Sequence, residues 1–333
     1  MARKRGDRSH GAMGNSKDTI DSQVPGTAGR LTEAEFRELY AGLRTHVPWG
    51  PGDRLGALNY ITPAEVVAAL GEVRQGRPLS LAGSVENRAA ADNPDPSQHQ
   101  VTQAGTAAAA RGLSFAMDRI AMNVHGNADT HIDALCHVIY DAELYNAVPA
   151  NTVTEAGATE LSIELARDGI VGRGVLLDVP RSRGIPWLEP GDHVTAADLV
   201  TAERDEHLCI RQGDLVFVRV GHRRRRTAQG PWDAAKARAG LHPMALPYLA
   251  ERRIAVLGSD GNNDTAASAV EGVDFPVHVL AINALGMHLL DYLQLEELAS
   301  RCEEADCWSF LCVIAPLRLP RGTGSPVNPI AIT

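Results

Sequence analysis

Residues 123–137 read NVHGNADTHIDALCH and place three histidines and two aspartates within fifteen positions, among small and apolar neighbours. His131 and Asp133 are separated by one residue. On a strand both side chains leave the same face, where an imidazole and a carboxylate converge on one divalent ion. On a helix they would stand about 200° apart, and convergence would fail. Gly126, Asn127 and Asp129 favour an extended or turning entry, so the strand is the expectation. An isolated His-x-Asp pair is more often a hydrogen-bonded core pair than a site. Here, however, His125, His131, Asp133 and His137 are all to be buried, which is costly for charged groups without partners. A metal ion is the simplest partner.

A second group of such residues lies in GVDFPVHVLAINALGMHLLDYLQLEEL. Pro276 and Val277 imply an extended approach to His278, and Asp291 sits in an apolar stretch ahead of a helix expected over 294–302. His288 and Asp291 could share a face if the chain is helical there. Read alone, this segment is a surface histidine and a helix cap.

The elements that must position these residues are legible in outline. Thr32 and Glu35 form a capping box ahead of helically spaced Phe36, Leu39 and Leu43, and Thr62, Pro63 and Glu65 mark a second helix start. Between them the Pro- and Gly-rich HVPWGPGDRLGALNY is loop, with Trp49, Asp53 and Asn59 available to line a cleft or simply to build turns. GRGVLLDVP (172–180), GDLVFVRVG (213–221) and RRIAVLGSD (252–260) are apolar, β-branched and bounded by Gly, Pro or Asp, as buried strands should be. Helices are expected after Thr195 and in HPMALPYLAERR. GSDGNND (258–264) ends a strand; there Asp260 could orient a ligand histidine, or the run is a tight turn. The pattern predicts one α/β domain with a mixed sheet over residues 31–333, preceded by a disordered leader over residues 1–30.

Composition narrows the partners. The chain has 333 residues, a formal net charge of −9 and a pI near 5.7, which speaks against nucleic acid. The run His222–Arg226, HRRRR, reads as solvated loop, or as a site for an acidic ligand or a neighbouring subunit. Five cysteines without Cys-x-x-Cys spacing fit neither a disulfide framework nor a zinc knuckle, so reduced, buried thiols are expected. No apolar run is long enough to span a membrane, and the opening residues lack the apolar core of a signal peptide. A cytoplasmic protein with a small-molecule substrate is the expectation. Trp49, Trp187, Trp232 and Trp308 stand out as walls for a flat ligand in a chain that is 5% aromatic.

THIDALCH resembles the signature of the cyclase-family metal-dependent hydrolases, a family with kynurenine formamidases and isatin hydrolase among its members. WGPGDRLGALNYITPAEV, GRGVLLDVP, GDLVFVRVG, IAVLGSD, FPVH and PLRLPRGTGSPVNPIA extend the resemblance from about Trp49 to Pro329. It implies a swivelling β/β/α fold, a homodimer or higher homo-oligomer, and zinc or manganese at the active site. By the same resemblance His131, Asp133 and His278 are metal ligands and His137 is the catalytic histidine. Asp291 stands about where the family has a ligand glutamate. The compact signature's first histidine falls on Asn127 and its glycine on Asp129. His125 could swing in to replace the missing imidazole; Asp129 could instead supply an oxygen, favouring manganese or magnesium; or the site holds one ion in place of two. The implied activity is hydrolysis of a small amide, formamide or lactone. A non-hydrolytic cyclase or dehydratase of secondary metabolism, using the same site with altered or lost metal binding, is the alternative. The GTGSPVNP tail could close over the cleft or bind a partner subunit.

Overall fold

The computed structural model describes residues 29–103, 113 and 115–333. Most of the leader expected over residues 1–30 therefore lies outside the described residues. A nine-stranded mixed sheet organises the chain. Its strands are β1 (Pro78–Ser80), β2 (His131–Asp133), β3 (Ile170–Asp178), β4 (Leu215–Arg219), β5 (Val256–Ser259), β6 (His288–Asp291), β7 (Ser309–Ile314), β8 (Gly324–Pro326) and β9 (Ile330–Ile332), in the order β1-β9-β7-β3-β4-β5-β6-β2-β8. The four central strands β3 to β6 are parallel; the outer strands on both sides pair antiparallel. Parallel strands are covered on both faces and so read as continuous apolar runs. The three strands expected from sequence are β3, β4 and β5, and all five residues of β4 are buried. This is the single α/β domain with a mixed central sheet that the residue pattern predicts.

Helices cover the sheet and follow their caps. Glu33–Arg44 and Pro63–Ala69 carry the capping boxes of Thr32 with Glu35 and Thr62 with Glu65, and Ala196–Asp205 begins at Thr195. The helix expected over 294–302 runs from Glu296 to Ala305. Among the described residues, no helix is long and apolar enough to cross a membrane. All five cysteines are free, and Cys136, Cys302 and Cys312 are buried, but Cys209 is exposed.

Three segments differ from their sequence reading. The arginine run is a helix, His222–Gln229, with His222 and Arg223 buried. Propensity allows this, since Arg is a good helix former, and the buried guanidinium of Arg223 finds the carbonyls of Ala128, Tyr292 and Leu293. The approach to His278 is one helical turn, Pro276–His278, continuing into a π-helical turn over Val279–Ala284. Its free amides are satisfied by a side chain remote in sequence: Val277 and His278 donate their N–H groups to the Asp264 carboxylate at 2.6 and 3.0 Å. Lastly, 288–291 is strand and not helix. His288 and Asp291, three apart, therefore leave opposite faces. His288 is wholly buried, neither ring nitrogen has a hydrogen-bond partner, and burial pushes it down to about 4, so it sits in the core as a neutral imidazole.

The tail is part of the sheet. β8 pairs with β2 in the register Gly324↔Asp133, Ser325↔Ile132, Pro326↔His131. A Cβ on Gly324 would lie 2.6 Å from His125 Cε1 and 2.7 Å from the Ile132 carbonyl oxygen, so only glycine permits this approach. Gly324→Ala should destabilise the fold by about 1–3 kcal/mol, the usual range for overpacking, seen as a lower denaturant midpoint with an unchanged slope. An unchanged midpoint would mean that the tail is not seated against β2.

Candidate metal and catalytic site

β2 does what the one-residue spacing requires. Ile132 enters the core while His131 and Asp133 share the opposite face. The His131 Nδ1 proton goes to the Asp129 carbonyl at 2.9 Å, which leaves the Nε2 lone pair free, 3.7 Å from Asp133 Oδ1. His125 Nδ1 lies 2.9 Å from the same oxygen, and its Nε2 is 3.1 Å from the Thr323 hydroxyl on the tail. His137 Nε2 is 4.0 Å from Asp133 Oδ1, and its ring stacks on His125 with centroids 3.8 Å apart. From across the sheet, His278 Nε2 reaches within 3.4 Å of both Asp133 Oδ2 and Asp291 Oδ2. The five residues expected as metal ligands and the one expected as catalytic are thus brought together around Asp133.

Two donor sets share that carboxylate: His125, Asp133 and His137, and His131, Asp133 and Asp291. Within each set the ligand atoms lie within 4.8 Å of one another. Asp133 is fully buried, and its Oδ2 makes no well-formed hydrogen bond, with only His278 Nε2 facing it at 3.4 Å. A buried carboxylate oxygen without a donor is unstable unless a cation compensates it. The mixed nitrogen and oxygen donors therefore fit a divalent ion. Burial alone would raise the Asp133 carboxyl, but His137, His125, His278 and His131 outweigh it and hold the group well below the usual range. Burial likewise opposes a charge on His278, yet Asp291, Asp133 and Asp264 raise it well above an ordinary imidazole. His137 faces fewer carboxylates, and burial pushes it down to about 4, so it is neutral near pH 7.

The supporting shell comes from one short run. Asn262 donates to Asp291 Oδ2, and Asn263 donates to Asp291 Oδ1 through its backbone at 3.1 Å and its side chain at 2.6 Å. Asp264 Oδ2 lies 2.6 Å from His278 Nδ1 and fixes that ring. Asp260, expected to orient a ligand histidine, instead accepts the Val220 N–H at 2.6 Å and faces Arg219; burial pushes it up to about 6. The orienting carboxylate is four residues further along. The position was readable in part, since ligand sites gather beyond the carboxyl ends of parallel strands, and Asn262, Asn263 and Asp264 follow β5.

Other expectations are corrected. Trp49 packs on Tyr60 with ring centroids 5.1 Å apart, and Asn59 donates to Asp53 Oδ1 at 2.7 Å and to the Gly56 carbonyl at 3.0 Å. Both knit their own loop and neither lines the cavity. Asp129 is no replacement ligand, because its carboxylate accepts the Ser97 hydroxyl and the Glu86 N–H at 2.6 and 2.8 Å. Trp187, Trp232 and Trp308 are also absent from the cavity wall.

The cavity above the cluster measures about 560 Å³. Its lining combines the polar His125, Asn127, His131, His137, His278, Asp291 and Asp274 with the apolar Val138, Ile139, Val273, Phe275 and Val279. Asp264→Asn should keep the fold and weaken divalent-ion binding by about 10–100-fold, the usual effect of losing a ligand's orienting partner, measured by competition with a chromophoric chelator. Unchanged affinity would remove Asp264 from the site.

Known proteins share this arrangement of chain. The Cyclase family's sequence profile matches residues 56–263. A crystal structure described as a novel cyclase is 30% identical, superposes with a TM-score of 0.76, and covers 88% of this chain and 99% of its own. Isatin hydrolase from Roseibium aggregatum is 27% identical over 147 residues, 42% of this chain and 53% of that protein, so the match spans about half the length of this curated relative. Isatin hydrolase A from Ralstonia solanacearum, 20% identical with a TM-score of 0.54, has the same fold over 81% of this chain and 97% of its own. The chain belongs to the Cyclase family.

Proposed function

We propose that this protein is a metal-dependent hydrolase of a small, uncharged amide, formamide or lactone, working through zinc or manganese. The carrying observation is the buried Asp133 carboxylate, shared between two donor sets and left with an unpartnered oxygen. His131, Asp133, His278 and Asp291 would hold the ion, with His125 at its edge. A divalent ion in such a site supplies water activated near neutral pH and polarises a carbonyl. His137 is the proton carrier. As a neutral imidazole it can take the proton released in the attack and return it to the leaving nitrogen or oxygen.

The cavity wall selects the substrate class. Among the described residues no lysine or arginine lines it, and Asp274 does, so beyond the ion itself nothing there would compensate a carboxylate on the substrate. Phe275, Ile139 and Val273 offer apolar area to a flat ring. A cyclic amide such as isatin, the compound named in two relatives, satisfies both conditions and is the compound to try first.

The test measures metal by elemental mass spectrometry alongside hydrolysis of isatin, an N-formyl anilide and an aryl lactone. His137→Ala should keep the metal and lower turnover about 10²–10⁴-fold, the typical contribution of general acid–base catalysis. Asp133→Ala should lose both metal and turnover. Equal metal loss in the two variants would contradict the division of roles. Ring closure or loss of water in place of hydrolysis would make the protein a cyclase or dehydratase.

A further inference from the structure

Asn127 stands where the family resemblance expects a metal-ligating histidine, and its surroundings make it a donor. Its Oδ1 accepts the Tyr292 hydroxyl at 3.0 Å. The Tyr292 side chain is fully buried, and its hydroxyl has no other hydrogen-bond partner among the described residues. Its proton is therefore committed to Asn127, which fixes which end of the amide faces the phenol. The amide nitrogen, with two N–H groups, makes no hydrogen bond among the described residues, and Asn127 forms part of the cavity wall beside His131 and Asp291.

The rest of the fold holds this pair in place. Tyr292 occupies the left-handed backbone region at φ 55°, a strained conformation for a residue other than glycine that persists only where its surroundings enforce it. Its N–H donates to the Gly261 carbonyl at 2.9 Å, and its carbonyl accepts the Thr130 hydroxyl at 2.6 Å and a guanidinium N–H of Arg223. The same Arg223 nitrogen donates to the carbonyl of Ala128 at 2.8 Å, the residue after Asn127. One buried guanidinium, from the arginine run that the hydrolytic reading leaves unused, clamps both ends of the Tyr292–Asn127 hydrogen bond.

We propose that the Asn127 amide is a substrate-contacting donor that binds the carbonyl oxygen of an uncharged amide or lactone, and that Tyr292 and Arg223 are positioning residues that fix its orientation. The class of ligand rests on the hydrolytic reading above. With its oxygen accepting from Tyr292, Asn127 has its amide N–H groups left to offer, and these do not coordinate a cation. The exchange of imidazole for amide thus trades a ligand for a hydrogen-bond donor on the same wall. Such a donor strengthens its hold as negative charge grows on the oxygen it binds.

The experiment uses metal-loaded protein with isatin as the probe, reading affinity by calorimetry, metal per chain, and product. Asn127→Ala should weaken isatin about tenfold, the loss of one good hydrogen bond, and Asn127→Asp should weaken it further by setting oxygen against oxygen. Both should keep the metal of the wild type. Tyr292→Phe should weaken isatin in the wild-type background and have no further effect in Asn127→Ala, a coupling that loss of packing alone would not produce. Equal affinity in wild type and Asn127→Ala, no isatin binding by the wild type, or metal loss from Asn127→Ala would each overturn the assignment. If the wild type binds isatin through Asn127 and leaves it intact, the hydrolytic reading fails and this assignment stands.

Discussion

A carboxylate with no exposed surface and one oxygen without a donor is a severe constraint, and Asp133 imposes it on everything around it. Four imidazoles lie within 4.0 Å of its oxygens, brought by β2, by the loop before it, by the segment after it and by the turn at His278. Such a concentration of ionisable groups inside a sheet is not how a core gains stability. It persists because the surrounding elements are fixed independently: β6 holds one side of β2, and β8 holds the other. The tail strand, the Asn262–Asp264 turn and the helical turn at Pro276 all serve to keep donor atoms aimed inward.

The fold was legible where patterning is local. Continuous apolar runs bounded by turn residues gave β3, β4 and β5, two capping boxes gave the starts of two helices, and the capping Thr195 gave a third. The pairing of His131 with Asp133 followed from the two-residue period of a strand. What stayed hidden depended on distant partners. Nothing near Arg223 in sequence announces the carbonyls of Ala128 and Tyr292, so a run of charges read as solvent-facing. His278 was expected on extended chain because local rules for Pro276 say so; the Asp264 carboxylate, remote until the sheet forms, caps a helical turn instead.

The site shows the same division. Residue types near Asp133 pointed to candidate ligands, and the family resemblance added His278 and Asp291 from far along the chain. Asn59 and Trp49 were misplaced because a Pro- and Gly-rich loop with polar side chains looks alike whether it lines a cleft or closes on itself, and here Asp53 draws Asn59 inward. The departure at Asn127 could be seen in sequence, but its meaning depended on Tyr292, whose hydroxyl claims the amide oxygen.

The most direct test of the account is anomalous diffraction from crystals grown with zinc or with manganese, recorded on both sides of each absorption edge. A peak is expected at about 2.0–2.2 Å from the Asp133 carboxylate, with His131, His278 and Asp291 around it and Asn127 outside the coordination sphere. No peak at Asp133, or one ligated by Asn127, would contradict it.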